Sequence, residues 1–200
     1  MPNGYSKNQT LILASASPRR REILGRLGVR FRTDPGTFSE PARMPRESPA
    51  RYAVRLARLK ARQVGARHRA GMVIGADTVV VAGNRILGKP ASTADARRML
   101  KTLQGRWHRV ITGVCLLDVR SQRSRSDHSV TRVHVRRLTL SEIEWYLRTG
   151  EFMDKAGAYA IQGLGSLLVD RLDGCYFNVV GFPIVTFLKL CRRMGIHLIR

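Results

Sequence analysis

An α/β fold is predicted from three features of the chain. Short apolar runs of strand length alternate with amphipathic helical patterns from end to end, without repeats, linkers or low-complexity tracts. Several of the helical patterns open on a serine or proline suited to a helix start. The composition, 44% hydrophobic and 25% charged over 200 residues, is that of a globular protein. Enough chain is present to bury a core in one domain, or in two lobes sharing a sheet.

The elements follow in order. Leu11-Ile12-Leu13 is long enough only for a buried strand. Ser17 suits an N-cap and Pro18 the first helical position, where its missing N–H costs nothing. The helix presents Ile23, Leu24 and Leu27 on one face and stops at Gly28. A strand is predicted over Val29–Thr33, then a proline-bearing loop from Asp34 to Glu47. Ser48-Pro49 opens a long helix carrying Tyr52, Leu56 and Leu59 up to Gly65. Met72–Ala82 is almost continuously apolar and β-branched, the mark of a strand buried on both faces. Gly83-Asn84 turns it back into Arg85-Ile86-Leu87, and Thr93–Leu103 is helical. Val110–Val119 and Ser129–Leu138 read as strands joined by an arginine-serine tip. Ser141-Glu142-Ile143-Glu144 has capping-box spacing and opens a helix to Arg148. Ser166–Leu172 is a strand, and Pro183 opens a last helix ending near Gly195.

Charge and cysteine usage narrow the function classes. The net charge of +22, overwhelmingly arginine, would concentrate polyanions near the surface. It is spread along the whole chain and not interleaved with aromatics, so a nucleic-acid-binding module is disfavoured. No apolar stretch reaches the length of a membrane span, and Met1–Thr10 is polar with no signal-like apolar region. The three cysteines Cys115, Cys175 and Cys191 are far apart, which fits reduced thiols in a cytoplasmic protein.

Four stretches carry chemistry. Ser15-Ala16-Ser17-Pro18 directs backbone N–H groups and two hydroxyls to a helix N-terminus, where an anion is favoured. Three arginines in that first turn oppose the helix dipole; bound phosphate would account for them, and so would a solvated basic face. Asp77 lies in the middle of an apolar strand, where a carboxylate must be paired, protonated or metal-bound. Lys89 follows the hairpin, and Lys60 stands out in a helix whose other basic residues are arginines. Gly150–Gly163 is rich in small residues, as suits either close backbone approach to a ligand or a tight structural loop.

Taken together, these stretches resemble the Maf family of nucleoside triphosphate pyrophosphatases from Leu11 to about Met194. The carriers are Leu13-Ala14-Ser15-Ala16-Ser17-Pro18-Arg19-Arg20, Arg55-Leu56-Ala57 with Lys60-Ala61, and Gly75-Ala76-Asp77-Thr78-Val79-Val80. Gly88-Lys89-Pro90, Asp154-Lys155-Ala156-Gly157-Ala158-Tyr159 and Asn178-Val179-Val180-Gly181 complete the series. The resemblance implies an elongated mixed β-sheet flanked by helices, with two lobes and an active-site cleft. Residues 1–10 would form a short polar extension and 11–200 a single domain.

It also implies hydrolysis of a nucleoside triphosphate to monophosphate and pyrophosphate, with a divalent cation, Mg²⁺ or Mn²⁺. Asp77 matches the family's catalytic acid, here a general base on water, and Glu40 matches an acid at the metal or water. Ser15, Arg20, Lys60 and Lys89 match positions that contact the triphosphate. Arg19, Thr78 and Gln162 match the three positions that flank the base, in the combination associated with dTTP and UTP. A glutamine amide satisfies both the donor and the acceptor of a pyrimidine edge. The alternatives are a 7-methyl-GTP or broad-specificity enzyme and, from another class, a nucleic-acid-binding division regulator. A homodimer is expected. One departure is Phe152-Met153, which stands where a proline usually follows the glutamate.

Overall fold

A computed structural model describes residues 10–198. Strands β1 (Leu11–Leu13), β2 (Phe31–Thr33), β3 (Met72–Ala82), β4 (Arg85–Leu87), β5 (Arg106–Asp118), β6 (Ser124–Val135) and β7 (Val169–Asp173) form a mixed seven-stranded sheet of order β2-β1-β3-β5-β6-β7, with β4 paired to β3. The chain forms two compact units. The first holds the described residues up to Asp77, with Thr112–Ser129 and the chain from Gly181; the second holds Thr78–Ile111 and Val130–Val180. The extension expected over residues 1–10 lies almost wholly outside the described residues.

In the first unit, β1 (Leu11–Leu13) is buried and pairs in parallel with both β2 (Phe31–Thr33) and β3 (Met72–Ala82). Helix α1 (Pro18–Arg26) starts as predicted: Ser17 is the N-cap and its hydroxyl accepts from the Arg20 N–H. Gly28 ends it at φ 67°, donating to Gly25 O while the Val29 N–H donates to Leu24 O. That paired cap corrects two expectations. Val29 is tied to the helix end, so β2 begins only at Phe31, and Leu27 leaves the predicted apolar face and is 42% exposed. Helix α2 (Pro49–Gly65), capped by Ser48, buries mainly small residues: Ala53, Ala57, Ala61 and Gly65, with Leu56 and Val64.

Those small residues let α2 lie almost backbone to backbone on the sheet. A Cβ on Gly75 of β3 would sit 2.1 Å from Ala57 O. One on Gly113 of β5 (Arg106–Asp118) would sit 2.5 Å from Ala53 O. The core around them holds Ile12, Ala14, Val73, Cys115 and Leu117.

In the second unit, β3 continues from Thr78 and turns into β4 (Arg85–Leu87), and helix α3 (Thr93–Leu103) follows. Helix α4 (Leu140–Arg148) packs with α3 around Leu100, Leu103, Ile143 and Tyr146. Its capping box is formed by Thr139 and Glu142, two residues before the predicted Ser141–Glu144 pair. Both registers satisfy the pattern, but Glu144 is engaged by the Arg97 guanidinium of α3, 2.7 Å from Nη2.

Strand β5 begins at Arg106, before the predicted Val110, and ends at Asp118. Strand β6 (Ser124–Val135) begins before the predicted Ser129 and stops at Val135 instead of Leu138, so the arginine-serine tip contracts to a turn. Ladder hydrogen bonds are made by the backbone, so exposed arginines and serines do not end a strand. The strand predicted over Ser166–Leu172 is a 3₁₀ helix at Gly163–Leu168 followed by β7 (Val169–Asp173), antiparallel to β6. A short helix α5 (Tyr176–Val180) was not predicted, and α6 (Ile184–Arg193) follows Pro183 in the first unit. All three cysteines are free, with Cys115 and Cys191 buried. Burial pushes their thiols up to about 11 and about 12. Among the described residues, no helix is long and apolar enough to cross a membrane.

Candidate active site

The first unit gathers four of the predicted residues, Lys60, Glu40, Arg20 and Ser15, around the Asp77 carboxylate. Asp77 is 5% exposed on β3, two residues beyond Gly75 and therefore on the same face of the strand. The close approach of α2 at Gly75 brings Lys60, one turn beyond Ala57, over that face. Its Nζ donates to Asp77 Oδ1 at 2.6 Å and to Glu40 Oε1 at 2.8 Å. The same ammonium lies 5.3 Å from the ring centre of Phe38.

Arg20 builds the second wall. Its Nη1 donates to Ser15 Oγ at 3.1 Å and to Ala76 O at 2.8 Å, and its Nε donates to Gly181 O at 2.9 Å. Ser15 Oγ also accepts from the Ser17 N–H. The β1–α1 turn is thereby tied to the residue just before Asp77. Arg19 is half-buried in the first turn of α1.

Glu40 sits on the loop before α2, and sequence reasoning missed what holds that loop. The Arg55 guanidinium forks onto Glu47, with both N–O distances 2.8 Å, and Nη2 also donates to Ala42 O. Glu47 accepts from the Met44 N–H, and Tyr52 donates to Pro41 O. The Arg55 hydrogen bonds hold the Glu47 carboxyl below the usual carboxylate range. Arg55 is visible in the motif series, but nothing in an eight-residue spacing marks Glu47 as its partner.

The second unit carries the remaining candidates. Thr78 follows Asp77 directly. Lys89 is exposed beside Gly88, whose carbonyl accepts from the Gly157 N–H at 3.0 Å. Gln162 is half-buried at the start of the 3₁₀ helix. Asp154 and Lys155 are ion-paired with each other. His108, also missed, is buried against Tyr159 Oη at 2.7 Å, and burial pulls its imidazole down to about 4. It therefore stays neutral through the physiological range.

Burial raises the pKa of the Asp77 carboxyl above the ordinary carboxylate value; Lys60 and Arg20 oppose this, and Glu40 adds to it. Acting as a general base on water, Asp77 would have to be deprotonated, and activity would then fall as pH drops through this raised value. In Lys60→Met the opposing ammonium is gone. The acidic limb of the kcat/KM profile is then expected to move to higher pH, as measured over a series of buffers. A limb that stays in place or moves down would exclude Asp77 as the group it reports.

The donor set also bears on a divalent cation. Among the described residues, no group of three or more His, Cys, Asp or Glu side chains gathers as a closed metal site. Asp77 and Glu40, however, converge on one ammonium at hydrogen-bond distance. Two carboxylates fit an ion such as Mg²⁺, which keeps several waters and takes its other ligands from substrate phosphates.

Comparisons with known proteins bear on the family of the chain. The family model described as "Maf-like protein" matches residues 10–194. A protein of Syntrophomonas wolfei named dTTP/UTP pyrophosphatase is 46% identical over 188 residues, covering 94% of this chain and 99% of that one. Proteins of the same name from Gloeobacter violaceus and Thermococcus onnurineus are 50% and 52% identical. They cover 90% and 92% of this chain, and 93% and 97% of their own lengths. With the match running through every element from β1 to α6, the chain belongs to the Maf-like protein family.

Proposed function

We propose that this protein is a pyrimidine nucleoside triphosphate pyrophosphatase, hydrolysing dTTP and UTP to the monophosphate and pyrophosphate. The observation that carries the reading is the buried Asp77 carboxylate, held by an ammonium that also reaches Glu40. Relatives 46–52% identical, matched over nearly their whole length and named for dTTP and UTP, support the choice of nucleotide.

In this reading Asp77 accepts the proton of the water that attacks the α-phosphorus, and pyrophosphate leaves. Lys60 orients the Asp77 carboxylate and offsets phosphate charge. Ser15 and Arg20 hold phosphate oxygens on the first unit, and Lys89 does so from its loop. Asp77 and Glu40 would hold a divalent cation, which supplies neutralisation of charge developing on the phosphate oxygens. Arg19, Thr78 and Gln162 read the base.

A side-by-side assay of dTTP, UTP and 7-methyl-GTP, detecting pyrophosphate, tests the assignment. At least tenfold higher kcat/KM for dTTP and UTP is expected. Preference for the methylated purine would overturn it.

A further inference from the structure

The 3₁₀ helix Gly163–Leu168 begins directly after Gln162, which occupies its N-cap position. The first amides of such a helix lack internal partners, and a short Ser, Thr, Asp or Asn at the cap position ordinarily supplies the acceptor. Gln162 makes no side-chain capping bond. The amides are satisfied by Glu151 instead. Its Oε2 accepts from the Leu164 N–H at 3.0 Å, and its Oε1 accepts from the Gly165 N–H at 3.0 Å.

Glu151 is itself anchored. Its own N–H donates to Thr149 Oγ1, whose hydroxyl donates to Tyr146 O at the end of α4. The buried Tyr146 side chain directs its hydroxyl to Glu151 Oε1 at 3.5 Å. The chain passes close over the carboxylate at Gly163, where φ is 67° and a Cβ would lie 2.6 Å from Glu151 Oε2. An added side chain would be strained by both.

We infer that Glu151 is a positioning residue that fixes the Gln162 amide for pyrimidine recognition; this rests on the proposed role of Gln162. A carboxylate accepts two amides at once, one on each oxygen. Glutamine at 151 would accept one and present an NH₂ group to the other. Because Glu151 caps the helix, Gln162 keeps its donor and acceptor out of the capping pattern, on a backbone pinned immediately downstream.

The test compares Glu151→Gln, Glu151→Asp and Gln162→Ala with the wild type, on dTTP, UTP and 7-methyl-GTP. Amide hydrogen exchange is followed in parallel over residues 163–168. The Glu151 variants are expected to raise KM for dTTP and UTP at least fivefold, with a smaller fall in kcat. They should also narrow the preference over 7-methyl-GTP at least fivefold, in the same direction as Gln162→Ala. Exchange over 163–168 should quicken. Aspartate keeps the charge but is too short to reach both amides, so it serves where the Gln variant does not fold.

An equal loss of kcat/KM on all three nucleotides, or an unchanged preference while Gln162→Ala alters it, would overturn the inference and leave the reading of Gln162 standing. If Gln162→Ala itself leaves the preference unchanged, that reading fails and the inference falls with it.

Discussion

Asp77→Asn is expected to lower kcat for dTTP at least 100-fold, with a much smaller loss of nucleotide binding. The substitution preserves shape, and the amide oxygen can still accept from Lys60 Nζ. In the proposed mechanism it removes the group that takes a proton from water, a contribution of roughly 10²–10⁴-fold in rate when the base is well placed. The fold should tolerate the change, because burial already works against the charged form of this carboxyl. A neutral amide lifts that opposition, although the Lys60 ammonium loses its counter-charge. Single-turnover pyrophosphate release and calorimetric binding of dTTP separate the two effects. A variant that turns over at the wild-type rate would remove Asp77 from the mechanism. Any salt-sensitive association with nucleic acid that the +22 charge drives should be the same in both proteins.

Gly75→Ala should damage stability and activity together. The new methyl group would lie 2.1 Å from Ala57 O and 3.0 Å from Ala61 Cβ. Neither neighbour is a flexible side chain that could rotate away, so α2 itself must move. Such overpacking costs about 1–3 kcal/mol, and in a domain of this length each kcal/mol lowers Tm by about 2–4 °C. The helix that moves is the one that brings Lys60 to Asp77, so kcat/KM should fall at least tenfold as well. Gly25→Ala is the contrast. Gly25 lies in α1 with no atom within 4 Å of an added Cβ, so alanine should raise stability by roughly 0.5–1 kcal/mol through its helix preference. Thermal melts and dTTP kinetics on both variants check the pair. Equal, small effects at the two glycines would mean that α2 is not held to β3 by the absence of a side chain at Gly75.

The candidate site was legible where a residue contradicts its surroundings. Asp77 breaks an apolar strand, so its partners had to exist, and Ser17-Pro18 announces a helix start from the chemistry of two neighbouring residues. The same local logic placed α2, α3 and β3 within a residue or so of their ends. It failed where two solutions have equal local chemistry. Thr139 and Ser141 both lie three residues before a glutamate, and only the pairing of Glu144 with Arg97 distinguishes the registers. Exposed arginines and serines look like a tip, yet the backbone ladder of β5 and β6 runs through most of them.

An alternating α/β chain, one carboxylate in need of a counter-charge and an ordered series of motifs resembling one family are readable from the residues alone. They are readable because periodicity, capping and the cost of burying charge act over a few residues. Which partners answer those requirements emerges only in the folded chain: Lys60 for Asp77, Glu47 for Arg55, and Glu151 for the amides after Gln162. Hydrogen bonds and ion pairs form between atoms about 3 Å apart whatever their separation along the chain. Their partners become known only once the glycines and alanines of β3, β5 and α2 have allowed the backbones to meet.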